Sequence, residues 1–189
     1  MARKYVMSKR QEKVDETRRR IAQATFELHS TIGPAFTTMA MIAEKSGLPR
    51  QTILRNFTSR LELFRGCIGF GLEQDPPPDT AAWGSVPAGT ARLRVGLTEL
   101  YRWFEDVEPV TTNVVRDIAA VPAEALRPLA EFEARAHAVL CRDWNTPLVP
   151  ALVSLAIDFV NWKKLRREHH MQSGAIVDFW VGLADCREI

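Results

Sequence analysis

Apolar positions along the chain recur at helical spacing, in stretches separated by Pro- and Gly-marked breaks. Ile21, Ala24, Thr25 and Leu28 follow i, i+3, i+4, i+7, which predicts a helix over about 15–31 closed by Gly33-Pro34. Met39, Ile42 and Ala43 share one face of a second helix; Thr37 or Thr38 can cap its start, and Gly47 can end it in the left-handed conformation. Pro49 opens a third helix, with Leu48, Ile53 and Phe57 turned inward. Ser59-Arg60-Leu61-Glu62 reads as a capping box and begins a fourth, carrying Leu61, Leu63, Phe64, Cys67, Ile68 and Leu72. Gly66, Gly69 and Gly71 weaken that helix by roughly 1 kcal/mol each relative to Ala and point to close packing or a hinge. Asp75 and three prolines stop it, and residues 76–88 read as a linker. Further helices are predicted over about 88–105, 109–120, 123–143, 147–168 and 172–186. No stretch alternates as a strand would, so the predicted class is all-α.

Residues 37–60 carry the most information. A short helix, a tight turn and a second short helix leave Arg50, Gln51, Arg55 and Asn56 pointing outward. That is the layout of a helix-turn-helix, whose second helix enters the major groove of DNA. The segment resembles the DNA-binding domain of the TetR family of bacterial transcriptional regulators. Thr37, Thr38, Ile42, Ala43, Ser46, Gly47, Leu48, Thr52, Ile53, Asn56, Phe57, Ser59 and Arg60 carry the resemblance. Leu54 stands where the family usually has Tyr, and Asn56 where it often has His. The likeness extends over about residues 15–73; beyond them only the helical pattern and the length fit.

The resemblance implies an N-terminal helix-turn-helix domain over 15–75 and a larger helical ligand-binding and dimerisation domain over 76–189. The basic stretch 1–14, with Arg3, Lys4, Lys9, Arg10 and Lys13, is expected as a flexible tail. The implied activity is repression from a palindromic double-stranded operator, bound as a homodimer and released by a small-molecule effector. Two recognition helices must then sit about 34–36 Å apart. A ligand favouring another spacing shifts the population off DNA. Arg50 and Gln51 are expected to read base edges, Arg pairing with guanine and Gln with adenine. Arg55 is a lesser candidate for base or phosphate. Thr38, Thr52, Asn56, Ser59 and Arg60 are expected on phosphate, which sets register and affinity. Leu54 packs along the groove wall without the hydroxyl of the usual Tyr, or meets a thymine methyl.

Charge sharpens the division. Residues 1–73 hold 13 Lys+Arg against 7 Asp+Glu, and the remainder 12 against 16. A basic N-terminal part on an acidic remainder fits a DNA-facing domain carried by one that does not touch DNA. Arg18, Arg19 and Arg20 fall near the expected start of the first helix, the unfavoured end for cations, so phosphate is a natural partner for at least one. No apolar run reaches bilayer length and no signal-peptide core follows the basic start; a cytoplasmic protein is expected. Cys67, Cys141 and Cys186 are odd in number and far apart, which speaks for reduced, buried thiols.

Chemistry of other kinds finds little support. There is no G-x-S-x-G, H-E-x-x-H or Walker loop, and the four histidines lack ligand spacing, so neither an enzyme nor a metal or cofactor site is expected. All five tryptophans lie after residue 80. Tyr101, Trp103, Phe104, Phe132 and Trp144 could line an apolar effector cavity, with ordinary core packing as the alternative. Residues 148–165 are apolar around most of a helix, and Ile176, Phe179, Trp180 and Leu183 add a stripe on the last one. The resemblance implies that two such helices from each protomer form the dimer interface, which places Phe159, Trp162, Ile176, Phe179, Trp180 and Leu183 there, with a monomeric core as the alternative. A helical ligand- or partner-binding protein without operator recognition is the alternative from another class.

Overall fold

A computed structural model of the chain describes residues 2–144 and 146–185. Among them the regular structure is helical, with no strand. Ten α-helices follow in order: α1 (Ala2–Thr31), α2 (Met39–Ser46), α3 (Arg50–Asn56), α4 (Arg60–Gln74), α5 (Thr80–Trp83), α6 (Thr90–Arg116), α7 (Arg127–Cys141), α8 (Leu148–Ala156), α9 (Phe159–Lys163) and α10 (Ser173–Asp185). Short 3-10 turns at Ile118–Ala120 and Ala123–Ala125 follow α6, and a π-helical turn at Lys164–Glu168 continues α9. None of the described helices is long and apolar enough to cross a membrane.

The described chain clusters into two units. The first holds the residues up to Pro76 together with Val107–Arg127; the second holds Pro77–Asp106 and the residues from Pro128 onward. The expected cut near residue 75 is therefore incomplete, because the last turns of α6 and the two 3-10 turns pack with the N-terminal helices. Phe64 on α4 gathers Val121 and Ala125 into one buried cluster. The other cluster of this unit is small and mostly aliphatic: Ile21, Ile42, Ile53, Phe57 and Leu63. The second unit has one large core in which Trp83, Tyr101, Phe104, Phe132, Trp162 and Trp180 sit among leucines, valines and two isoleucines.

Several expected boundaries move for identifiable reasons. α1 begins at Ala2 instead of near Asp15, so the stretch read as a tail is helical. Its Ala, Lys, Arg, Met, Gln and Glu residues are good helix formers, and no Gly or Pro interrupts them. The helices expected over 88–105 and 109–120 are one, α6, which runs through Pro109. Proline's fixed φ is helical; it forfeits one backbone bond. The helix expected over 147–168 is instead broken at Asp158, whose carboxylate accepts from the Asn161 N–H at 2.7 Å and caps α9. The expected linker holds α5, capped by Asp79. Its Trp83 is fully buried and donates from Nε1 to Glu99 at 2.7 Å. Cys186, expected as a buried thiol, lies outside the described residues. Of the glycines in α4, Gly66 and Gly71 face the rings of Phe57 and Phe26, where a Cβ would collide, while Gly69 faces open space. Close packing, not a run of hinges, explains two of the three.

Candidate nucleic-acid interface

The two short helices are built as their residues demand. Thr38, in extended conformation, accepts from the Met41 N–H at 3.3 Å and caps α2; Thr37 instead donates its hydroxyl to the Gly33 carbonyl at 2.8 Å. Gly47 ends α2 at φ 62°, and the amides of Gly47 and Leu48 close the turn onto Glu44 and Ala43. α3 follows Pro49, whose carbonyl accepts from Thr52 and Ile53. Ile53 and Phe57 are buried against α1 and α4 residues. Because they face inward, Arg50, Gln51, Leu54 and Arg55 face outward and are exposed, Leu54 at 49%. Four of the expected contact residues thus lie together on one open helix face.

The polar residues expected on phosphate differ in how free they are. Thr38 and Ser59 accept cap bonds, Ser59 from the Glu62 N–H at 3.1 Å, and each keeps its hydroxyl proton to donate. Thr52 is half-buried. Asn56 turns its amide back to the Thr52 carbonyl at 2.8 Å, so its side chain closes its own helix. Arg60 is exposed but donates to the Ala120 carbonyl and lies over the Phe64 ring, 5.5 Å from its centroid. The box at Ser59 is also displaced by one residue. Glu62 reaches the N–H and hydroxyl of Thr58, at 2.8 and 2.9 Å, and not the Ser59 N–H.

Beneath this surface the end of α1 is tied to the last turns of α6. Asn113 donates to the carbonyls of His29 and Ser30 at 3.0 and 2.9 Å, which occupies acceptors left open at a helix C-terminus. Arg116 donates to the Ile32 carbonyl at 2.8 Å, and Asp117 accepts from the Ala35 N–H at 3.0 Å. Gly33 makes this possible: it sits at φ 95°, and any side chain there would run into Arg116 and Asp117. Paired with the Arg116 guanidinium, and despite its burial, the Asp117 carboxyl is held down to about 2. His29 is pushed down to about 4, chiefly by burial, with Arg60 adding to the shift and Asp117 opposing it. Its Nδ1 lies 3.4 Å from the Cys67 sulfur, a thiol that burial pushes up to about 12. Asn113, Arg116 and Asp117 went unnoticed in the sequence; the Gly33-Pro34 pair marked the turn but not its partners.

Arg18, Arg19 and Arg20 do not stand at a helix start. Since α1 begins at Ala2, they lie mid-helix, and two have partners within the chain. Arg18 donates to the Asn56 carbonyl and Arg19 pairs with Glu73 at 2.6 Å.

In the second unit the expected pocket residues share one core. Tyr101, Phe104 and Phe132 are buried, Trp103 and Trp144 pack against them, and Trp103 meets the Phe132 ring at 5.4 Å. The Tyr101 hydroxyl donates to the Ala156 carbonyl at 2.7 Å, and Trp144 Nε1 donates to the Leu140 carbonyl at 3.0 Å. The expected interface set divides. Trp162 and Ile176, expected at a dimer interface, are fully buried and Trp180 nearly so, all within the chain's own core. Phe159 is partly buried against that core. Phe179 and Leu183 remain exposed, at 45% and 37%, and are joined by Leu148, Leu155 and Val160, which periodicity alone had not separated from the core set.

The family model described as bacterial regulatory proteins, tetR family, matches residues 21–67, from the middle of α1 through the first half of α4. No curated protein matches the chain.

Proposed function

From the match of residues 21–67 to the tetR family of bacterial regulatory proteins, we propose that the chain represses transcription by binding an inverted-repeat operator as a homodimer, which a small-molecule effector releases. It is a DNA-binding transcription regulator by family; the operator form, the sign and the effector are the proposal. The observation that carries it is the open face of α3, where Arg50, Gln51, Leu54 and Arg55 are exposed together above the buried Ile53 and Phe57. Arg50 and Gln51 read base edges, and Arg55 reads base or phosphate. Thr38 and Ser59 donate hydroxyls to phosphate, with Thr52 beside them. Asn56 and Arg60 take lesser parts, because each already has a partner inside the chain.

The dimer reading is supported by Leu148, Leu155, Val160, Phe179 and Leu183, large apolar side chains left in solvent on α8, α9 and α10. Exposed apolar surface of this kind marks an interaction site when it is contiguous, and a two-fold operator calls for a two-fold protein. The aromatic cluster around Tyr101, Phe104 and Phe132 is the place proposed for effector binding, with Trp103 and Trp144 at its edge. Selection from a pool of random duplexes tests the whole reading. An enriched inverted repeat carrying a dimer is expected, together with loss of the dimer in a Leu155→Asp, Phe179→Asp double variant. A lone half-site bound by a monomer removes the dimer. A pool that never enriches favours a helical ligand- or partner-binding protein instead.

A further inference from the structure

α3 is a seven-residue helix whose N-cap, Pro49, makes no side-chain capping bond. A helix that short does not hold itself together in water, so its direction depends on what grips it. Ile53 and Phe57 grip it from below. Its C-terminal end is held by Arg18, one turn of α1 away from the buried Ile21. Arg18 donates an Nη1–H to the carbonyl of Asn56, the last residue of α3, and its guanidinium lies over the Phe57 ring, 4.3 Å from the centroid. That carbonyl is one of the open acceptors at a helix C-terminus and the negative end of the helix dipole, so a cation there is doubly favoured. The Phe57 ring also meets the bare backbone of Gly66, where a Cβ would stand 2.6 Å from the ring.

The neighbours of Arg18 repeat the theme. Consecutive helical residues project about 100° apart, so each arginine faces a different element. Arg19 pairs with Glu73 and covers the Phe70 ring at 5.2 Å on α4. Arg20 lies over the C-cap of α2, where a Cβ on Gly47 would stand 2.6 Å from its Nη2.

We propose that Arg18 is a positioning residue of DNA recognition: it fixes the C-terminal end of α3, and with it the direction of Arg50 and Gln51, and does not serve as a phosphate contact. The task needs a planar group that donates and stacks at once, which lysine cannot do. Arg18→Lys therefore separates the roles, since it keeps the charge a phosphate would use. The DNA arm rests on the operator reading above; a second arm, in the protein alone, does not.

Full-length wild type, Arg18→Lys and Arg18→Met are titrated against the selected inverted repeat and a scrambled duplex of the same composition, at two salt concentrations. Arg18→Lys is expected to lose about tenfold on the selected duplex, the scale of one charge-assisted hydrogen bond, and less than about threefold on the scrambled one, with the salt slope unchanged. Without DNA, amides of Ile53 to Phe57 should exchange with solvent about tenfold faster in both variants. Wild-type behaviour of Arg18→Lys on both duplexes overturns the proposal. So does equal weakening on both by Arg18→Met with a shallower slope, the mark of a phosphate contact. A lower melting temperature with an unaltered selectivity ratio reduces Arg18 to a stabilising residue and refutes it too. Should no duplex be selected, the operator reading fails, while unchanged exchange in α3 still sinks the clamp and faster exchange upholds it.

Discussion

The two units of this chain are held together by different means. The first relies on polar ties to helix ends and to the turn after α1: Asn113 on carbonyls in the last turn of α1, Asp117 on the Ala35 amide, Arg18 on the end of α3. Its apolar clusters are small. The second rests mainly on burial, with an aromatic core in which the ring centroids of Tyr101, Phe104 and Trp162 lie 5.5 to 6.3 Å apart, although Tyr101 also ties the last carbonyl of α8 and Trp144 one at the end of α7. Burial is non-directional and tolerates exchange of similar shapes, whereas hydrogen bonds to helix ends fix orientation. On the proposed function, a surface that presents Arg50 and Gln51 in one direction gains more from the second kind. The difference teaches where to expect tolerance: in the core composition of one unit, and hardly at all in the polar ties of the other.

The largest expected effect tests the burial side. Trp162→Ala should cost about 3–5 kcal/mol, the usual range for emptying a buried aromatic site. Every tryptophan lies in the second unit, so fluorescence in a denaturant titration follows that unit alone. A loss under about 1 kcal/mol would break the comparison, since the core would then not rest on its aromatic rings.

Acid should find the first unit next. His29 is held well below its ordinary value, so between pH 6.5 and about 4 the unfolded chain binds a proton that the folded one refuses. Stability should therefore fall as pH falls through that window, by roughly 3–4 kcal/mol at most. Asp117 acts in a lower window. Its carboxyl is depressed from 3.8 to about 2, so its stabilisation is complete above 3.8 and is lost as pH falls towards 2. Circular dichroism of wild type and His29→Gln across pH 4 to 7 checks the upper window. A slope that survives the substitution assigns the effect to another group.

Arg50→Ala should weaken operator binding by about 1–3 kcal/mol and relax one position in each half-site. Its salt slope should change less than that of a phosphate contact. Uniform weakening on all duplexes would place Arg50 on the backbone and blur the distinction between reading and positioning residues.

The smallest expected effect concerns Leu54, exposed on the same face of α3 as Arg50, Gln51 and Arg55. Leu54→Tyr should tighten binding by about 0.5–1.5 kcal/mol per protomer, one neutral hydrogen bond to phosphate, equally on operator and scrambled duplex and with little change in salt slope. Loss confined to the operator would show that Leu54 meets a base instead.

From the sequence alone, the helix-turn-helix was legible because its signals are local. Thr38, Gly47, Pro49 and Ser59 act within a turn of their own position, and the inward spacing of Ile53 and Phe57 fixes which face of α3 is open. The all-helical class followed from periodicity for the same reason. What only the tertiary structure decided depends on residues far apart in the chain. Arg18 and Asn56 are 38 positions apart, and Asn113 and His29 84; no local pattern announces either. The C-terminal helices show the limit most clearly. Trp162, Trp180, Phe179 and Leu183 are all large and largely apolar, so periodicity grouped them together. Which of them the chain buries in itself and which it leaves exposed is settled by how α8, α9 and α10 pack, because hydrophobicity states that a side chain favours leaving water and not which surface will cover it.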